Sequence, residues 1–306
     1  MDLIRVICGP TAAGKSSIAM RLANEHRITI VSADSRQIYR GFDVGTAKPT
    51  GEERARVPHC GIDIVEPTER YSASAWAGAA LGWITEAFAA GRIPLVVGGT
   101  GFYLRALFEP LFEEPVLPDE RRRRLAAALG ALDTAALRRW CAALDPERAH
   151  LGRAQLLRAI EVACLTGERL STLHRTSVRA ARFTPRYLIV DPGKALGERI
   201  ERRVEEMLAN GWENEVRALA ATIPPDAPAW NATGYRAIRA LVAGELRREA
   251  AVAGVVIDTR QYAKRQRTWF RHQIAAEDRA VRVDPTGPDA VDVVRAWWHA
   301  HGDSDS

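Results

Sequence analysis

The sequence predicts an α/β fold, a parallel-sheet core carrying an inserted all-helical subdomain, on three observations. First, the apolar run Leu3 to Cys8 leads through a glycine-bounded loop straight into a helical stretch, Lys15 to Asn24. Second, short apolar, strand-like runs recur between helical segments, at Ile28 to Ser32, Pro94 to Val97 and Tyr187 to Val190, and such alternation builds parallel sheets. Third, from Leu117 to about Arg182 the period is helical throughout, with Asp133-Thr134 and Asp145-Pro146 as starts and Gly167 as a stop. The expected domains are a core of residues 1–115 and 183–306 and an insert of 116–182.

The loop between the first strand and helix, Gly9-Pro10-Thr11-Ala12-Ala13-Gly14-Lys15-Ser16, fits the phosphate-binding pattern G-x-x-x-x-G-K-[ST] at every fixed position. Backbone N–H groups and the positive end of the helix dipole converge there, and Lys15 adds a full charge. The core is therefore read as P-loop NTPase-like, with all eight loop residues as the diphosphate or nucleotide cradle. Ser16 is the candidate Mg²⁺ ligand.

The second strand delivers Asp34-Ser35-Arg36-Gln37 at its carboxyl end, where open α/β sheets bind ligands. Asp34 fits a Mg²⁺-holding carboxylate or a general base, with a turn-capping role as the structural alternative. Residues 38–49 are polar and glycine-rich and are expected to form a functional loop. An alanine-rich helix follows Tyr71-Ser72, with Gly91 as its stop. The third strand ends in Gly98-Gly99-Thr100-Gly101, a composition that favours close approach of substrate to backbone. After the insert and the fourth strand the chain is mainly helical, over 195–210, 212–221, 231–243 and 259–276.

Hydrophobic content of 47% and charged content of 26% are those of a soluble globular chain. With no run of ~20 apolar residues and no signal-peptide pattern, a cytoplasmic protein without membrane contact is expected. Disorder is expected only at Gly302 to Ser306. The four cysteines, Cys8, Cys60, Cys141 and Cys164, lack metal-site spacing and are read as core residues. Net charge is +5, but residues 116–182 hold 13 Arg against 7 acids, and 259–273 hold five bases and no acid. Such concentration points to a polyanionic partner, against the plainer reading of solvated helix faces. At ~100° per residue Arg260, Lys264, Arg267 and Arg271 fall on one face of the last long helix, a face suited to phosphate contact.

Together GPTAAGKS (9–16), SADSRQIYRGFDVGTAKP (32–49), VPHCGID (57–63), YSAS (71–74), GRIPLVVGGTGFY (91–103), RVEEMLANGWENEVRAL (203–219), ATGYRA (232–237) and TRQYAKRQRTWFR (259–271) resemble the tRNA dimethylallyltransferase family. The resemblance spans about residues 3–275. It implies transfer of a dimethylallyl group from dimethylallyl diphosphate to the N6 amine of adenosine 37 in tRNA, by a monomer whose helical lobe grips the anticodon arm. By motif position, Thr11 to Ser16 would hold the diphosphate with Mg²⁺, Lys15 and Arg217 would neutralise it, and Asp34 would be the base. Thr100 would touch the adenine. Ser35, Arg36, Gln37, Arg122 and the segment Ala154-Gln155-Leu156-Leu157-Arg158 would meet tRNA. The sequence departs from the family pattern at Cys60, Gly61, Arg236 and Gln155; at Gln155 an RNA-facing arginine is expected. Three rivals stay open: a nucleoside or nucleotide kinase, an RNA-binding protein with a degenerate nucleotide site, and a transferase acting on free AMP or ATP.

Overall fold

The computed structural model describes residues 2–109, 111–112, 117, 119–176, 178–179, 182–274 and 280–300. The 302–306 tail and the expected 115/116 domain boundary lie outside them. Contacts divide the chain into two compact units, Met1–Phe108 with Arg182–Ser306, and Glu109–Ala181.

The larger unit begins β1 (Asp2–Cys8), α1 (Lys15–Glu25), β2 (Ile28–Ser32), α2 (Gly51–Arg56), β3 (His59–Cys60), α3 (Ala73–Ala89), β4 (Ile93–Gly98) and α4 (Gly101–Phe108). The smaller unit holds β5 (Leu111–Phe112), α5 (Asp119–Gly130), α6 (Thr134–Leu144), α7 (Arg153–Thr166), α8 (Leu170–Thr176) and β6 (Val178–Arg179). The chain then returns to the larger unit as β7 (Phe183–Val190), α9 (Leu196–Ala209), α10 (Trp212–Ala220), α11 (Tyr235–Val242), α12 (Arg248–Gln273), β8 (Ala280–Val283) and α13 (Ala290–His299).

Six strands form one sheet in the order β3-β2-β4-β1-β7-β8, with every pairing parallel. All of β2 and most of β1 and β4 are buried, as central parallel strands require. Ile7, Ile18, Leu22, Ile28, Ile30, Leu188 and Val190 share one cluster with Trp297 and Trp298 of α13. Arg5 fastens α13 by donating to the Trp298 carbonyl. The sheet order sets β1 between β4 and β7, so the loop after β1 opens among the carboxyl ends of β2, β4 and β7, where ligands bind in such sheets.

Local signals explain most boundaries. Thr50, Ser72 and Asp133 cap α2, α3 and α6, and Gly167 in the left-handed region ends α7. Two short strands, β3 and β8, escape periodicity because two and four residues carry too little pattern. Helix α12 starts at Arg248, well before the expected 259, since its buried face runs Ala251, Val255, Ala263, Gln266, Phe270 at helical spacing. Among its described residues the smaller unit is helical except for the antiparallel β5–β6 ribbon, which corrects the all-helical reading. Cys8 and Cys141 are buried, but Cys60 is half-buried and Cys164 exposed, so the core assignment holds for two cysteines only.

Candidate active site

The phosphate loop takes its shape from two glycines with positive φ, Gly9 (143°) and Gly14 (100°). A Cβ on Gly9 would overlap the Val190 carbonyl at the end of β7, so only glycine lets the loop leave β1 there. The loop lines a cavity of about 470 Å³, shared with Asp34, Arg199, Arg202, Arg203 and Glu206. Lys15 donates to the Pro10 carbonyl at 2.7 Å and Arg199 to the Ala12 carbonyl at 2.9 Å. Arg203, on α9, is half-buried, with its Nε shielded from solvent and without a hydrogen-bond partner among the described residues. Burial pushes its guanidinium below the ordinary value, opposed by the charges of Asp34 and Glu206. Burial, then the Arg203 charge, lowers Lys15 to about 8, with Asp34 and Cys8 opposing. Cations crowded in this way, with no ion pair among the described residues, make a setting suited to an anion of high charge.

Asp34 closes the other side. One carboxylate oxygen accepts from the Arg36 N–H at 2.8 Å, a turn-capping bond, while the residue still lines the cavity. The structure therefore combines the capping role with exposure to the cradle. A second, smaller cavity of about 60 Å³ also includes Thr11, Asp34 and Arg203, and is walled by Ile200, Val204, Met207, Trp212 and Val255. Thr100 Oγ1 accepts from the Ser35 N–H at 3.0 Å, and its side chain is also hydrogen-bonded to Tyr262. Burial raises the Tyr262 phenol to about 12.

The glycines after β4 serve the protein itself, correcting the expected approach of substrate to backbone. A Cβ on Gly98 would overlap the Ala33 backbone, one on Gly99 the Gln266 amide, and one on Gly101 the Trp269 ring. Gln266 is buried, accepts from the Thr11 N–H at 2.8 Å and donates to the Gly99 carbonyl at 2.9 Å. Residues 38–49 are likewise held: Phe42 is fully buried, and the Glu215 carboxylate takes the amides of Asp43 and Val44 at 2.8 and 2.6 Å. The Gln37 amide donates to the Thr46 and Ala47 carbonyls, which commits it to holding this loop.

Several motif-derived residues stand elsewhere. Arg217 is exposed on α10, bonded to Asn214, and is absent from the cavity lining; α9 supplies the arginines there. Leu156 is fully buried in the smaller unit's core and has no exposed face, while Leu157 packs against that core half-buried. Gln155 accepts from the Gly152 N–H at 3.0 Å and caps α7. Arg122 and Arg158 both pair with Glu161 at 2.5 Å. Along α12, Arg260 pairs with Glu201 and Arg267 with Asp191, whereas Lys264 and Arg271 are exposed. Acids absent from residues 259–273 thus arrive from neighbouring elements. Ala154, Ser16 and Arg123 are exposed.

Arg203, Arg199 and Gln266 were missed because they occupy ordinary-looking helices. Their signal lies in the third dimension: charged or polar side chains packed against the loop.

Fold and site define a phosphate-loop protein whose cradle faces a carboxylate across a cavity. The IPP transferase family model matches residues 37–273, and the isopentenyl transferase model matches residues 2–58. A protein of Rhodospirillum centenum named tRNA dimethylallyltransferase is 45% identical over 92% of this chain and 91% of its own length. A namesake from Gloeobacter violaceus is 42% identical over 89% and 90%. Among solved structures, a tRNA isopentenylpyrophosphate transferase of Bacillus halodurans matches with TM-score 0.66 and 30% identity, covering 97% of this chain and 94% of that one. A eukaryotic dimethylallyltransferase acting on tRNA matches with TM-score 0.79 and 25% identity, covering 97% and 78%. The chain belongs to the IPP transferase family.

Proposed function

We infer that this chain transfers a dimethylallyl group from dimethylallyl diphosphate to the N6 amine of adenosine 37, beside the anticodon in tRNA, and releases diphosphate. It does so as a monomer in the cytoplasm. The observation that carries the reading is Arg203, its shielded Nε without a partner among the described residues, lining one cavity with Lys15 and Asp34. The bond from C1 of the donor to the diphosphate oxygen breaks as the bond from N6 to C1 forms. The leaving oxygen's growing charge is met by Lys15, Arg203 and the loop N–H groups, and the amine's proton passes to Asp34. Thr100, fixed between Ser35 and Tyr262, orients the adenine. Holding the two reacting atoms ~3 to 3.5 Å apart supplies a large share of the rate, since an aromatic amine is a weak nucleophile.

Among the described residues no cluster of three His, Cys, Asp or Glu could hold a metal. The donor set, the Ser16 hydroxyl and few acids, suits a Mg²⁺ bound mainly through diphosphate oxygens and water. Such an ion would add Lewis-acid stabilisation of the leaving group. Acceptor contacts on Arg36, Lys264, Arg271 and the exposed arginines of α5 complete the proposal. The kinase reading lacks an acid at the end of β4, where Gly98 stands.

Labelled dimethylallyl diphosphate incubated with tRNA, with AMP, and with ATP plus a nucleoside tests this. Label in tRNA supports it; label in AMP, or phosphate transfer from ATP with tRNA untouched, overturns it.

A further inference from the structure

We propose that Gln266 is a positioning residue that sets the distance between donor and acceptor, by binding the phosphate loop to the end of β4 with its two amide arms. The proposal rests on the transfer reaction above. In a phosphate loop the backbone N–H groups are aimed at the anion, yet here one of them, that of Thr11, is bonded to the Gln266 carbonyl oxygen at 2.8 Å. The other arm of the amide donates to the Gly99 carbonyl at 2.9 Å. Gly99 is one residue before Thr100, which bonds the backbone after Asp34, and Thr11 opens the segment that carries Lys15. A single buried side chain therefore spans the donor half and the acceptor half of the site.

Two features indicate that this bridge is built in. Gly99 makes room for it, since any Cβ there would overlap the Gln266 Nε2. The residues around it on α12 reach the same strand ends: Arg267 donates to Asp191 and to the Gly193 carbonyl after β7, and the Trp269 ring lies against Gly101. The helix thus acts as a crossbar over β1, β4 and β7, and Gln266 is its contact with the loop.

Only an amide offers a donor and an acceptor in this geometry at neutral charge, with one exception, a protonated carboxyl group. The test uses that exception. Gln266→Met keeps the volume and removes both bonds; Gln266→Glu restores both when protonated and places a bare carboxylate against the Gly99 carbonyl when ionised. Inorganic pyrophosphate affinity, steady-state kcat and KM for dimethylallyl diphosphate, and circular dichroism are measured on each. Gln266→Met is expected to lose about 10²-fold in kcat, the scale of a ~1 Å misplacement. Its pyrophosphate affinity and KM should change less than about threefold, because the anion's own contacts remain. Gln266→Glu, read as a ratio to wild type at each pH so that effects common to both proteins cancel, should regain activity as pH falls, and Gln266→Met should not. Equal losses in kcat and pyrophosphate affinity, or a flat Gln266→Glu ratio in folded protein, overturn the positioning role. If Gln266→Met does not fold, the Gln266→Glu ratio decides alone. Wild type that moves no label into tRNA sinks the transfer reading, independently of either variant.

Discussion

The cavity around the phosphate loop and the arginine-rich smaller unit are both basic in sequence, yet their charges are arranged in opposite ways. In the cavity Lys15, Arg199, Arg202 and Arg203 form no ion pair among the described residues; Lys15 and Arg199 bond carbonyls. In the smaller unit Arg122 and Arg158 share Glu161, Arg175 pairs with Glu147, and Arg124 with Glu120. A partly desolvated cation without a counter-charge costs stability, and an anion bound beside it offsets that cost. Pairing, and not net charge alone, separates a cavity suited to an anion from a surface whose charge is answered in part.

Breaking the cavity's chemistry should have the largest effect. Asp34→Asn is expected to slow turnover by about 10² to 10⁴ with both substrates still bound, as measured by single-turnover kinetics alongside binding titrations. Near-normal turnover would remove Asp34 from the base role. Arg203→Met should cost about 10² to 10³ in kcat/KM for the donor, the scale for losing one preorganised charge at a leaving group. Arg217→Ala, exposed on α10, should leave donor kinetics near wild type. A reversal of that order would return the role to Arg217 and contradict the pairing argument.

The lowered Lys15 gives two slopes of opposite sign. Below about 8 the folded protein carries the charged ammonium in a desolvated place. Between about 8 and the ordinary lysine value of 10.5 the unfolded chain binds the proton and the folded one has released it, so stability rises with pH across that window. Pyrophosphate needs the charged form, so its affinity falls above about pH 8, by up to about tenfold per unit. Thermal melts and calorimetric titrations of wild type minus Lys15→Met should show both slopes. A flat difference in either would place Lys15 at an ordinary value.

How much of this was readable beforehand follows the same division. Asp34 and the loop are local: a strand end and an eight-residue pattern fix their surroundings, and the structure sets them on one cavity. Arg203 sits in RRVEEMLANG, an amphipathic helix with nothing in its composition to mark which arginine lines the cavity, since that depends on where α9 lies over the loop. Gln266 was hidden inside a run read for its charges. The glycines of 98–101 read as room for substrate against backbone, and composition could not say that Ala33, Gln266 and Trp269 take that room. Leu156 is different, because Leu156, Ala159 and Ile160 fall at i, i+3, i+4 and periodicity alone assigns them to a core. There, copying a motif overrode a signal already present.

The smallest effect is expected at Gln155, where the two regions' rules meet in one side chain. Its carbonyl oxygen satisfies the Gly152 N–H, one of the donors a helix start leaves free, while its exposed position faces solvent. Gln155→Ala removes the cap alone and should lower stability by about 0.5 to 1 kcal/mol without changing how tRNA binding depends on salt. Gln155→Arg loses the same cap but adds a charge one helical turn from Arg158. If that face meets RNA phosphate, the slope of log affinity against log salt steepens by roughly 0.7 to 0.9, the increment for one more neutralised phosphate. Because Arg158 is already paired with Glu161, Arg158→Ala should flatten the slope by less than that increment. Titrations at several salt concentrations, with melts on the same samples, separate the two effects: a Gln155→Arg variant with the stability loss and no change of slope would mean that this position is a helix cap and nothing more.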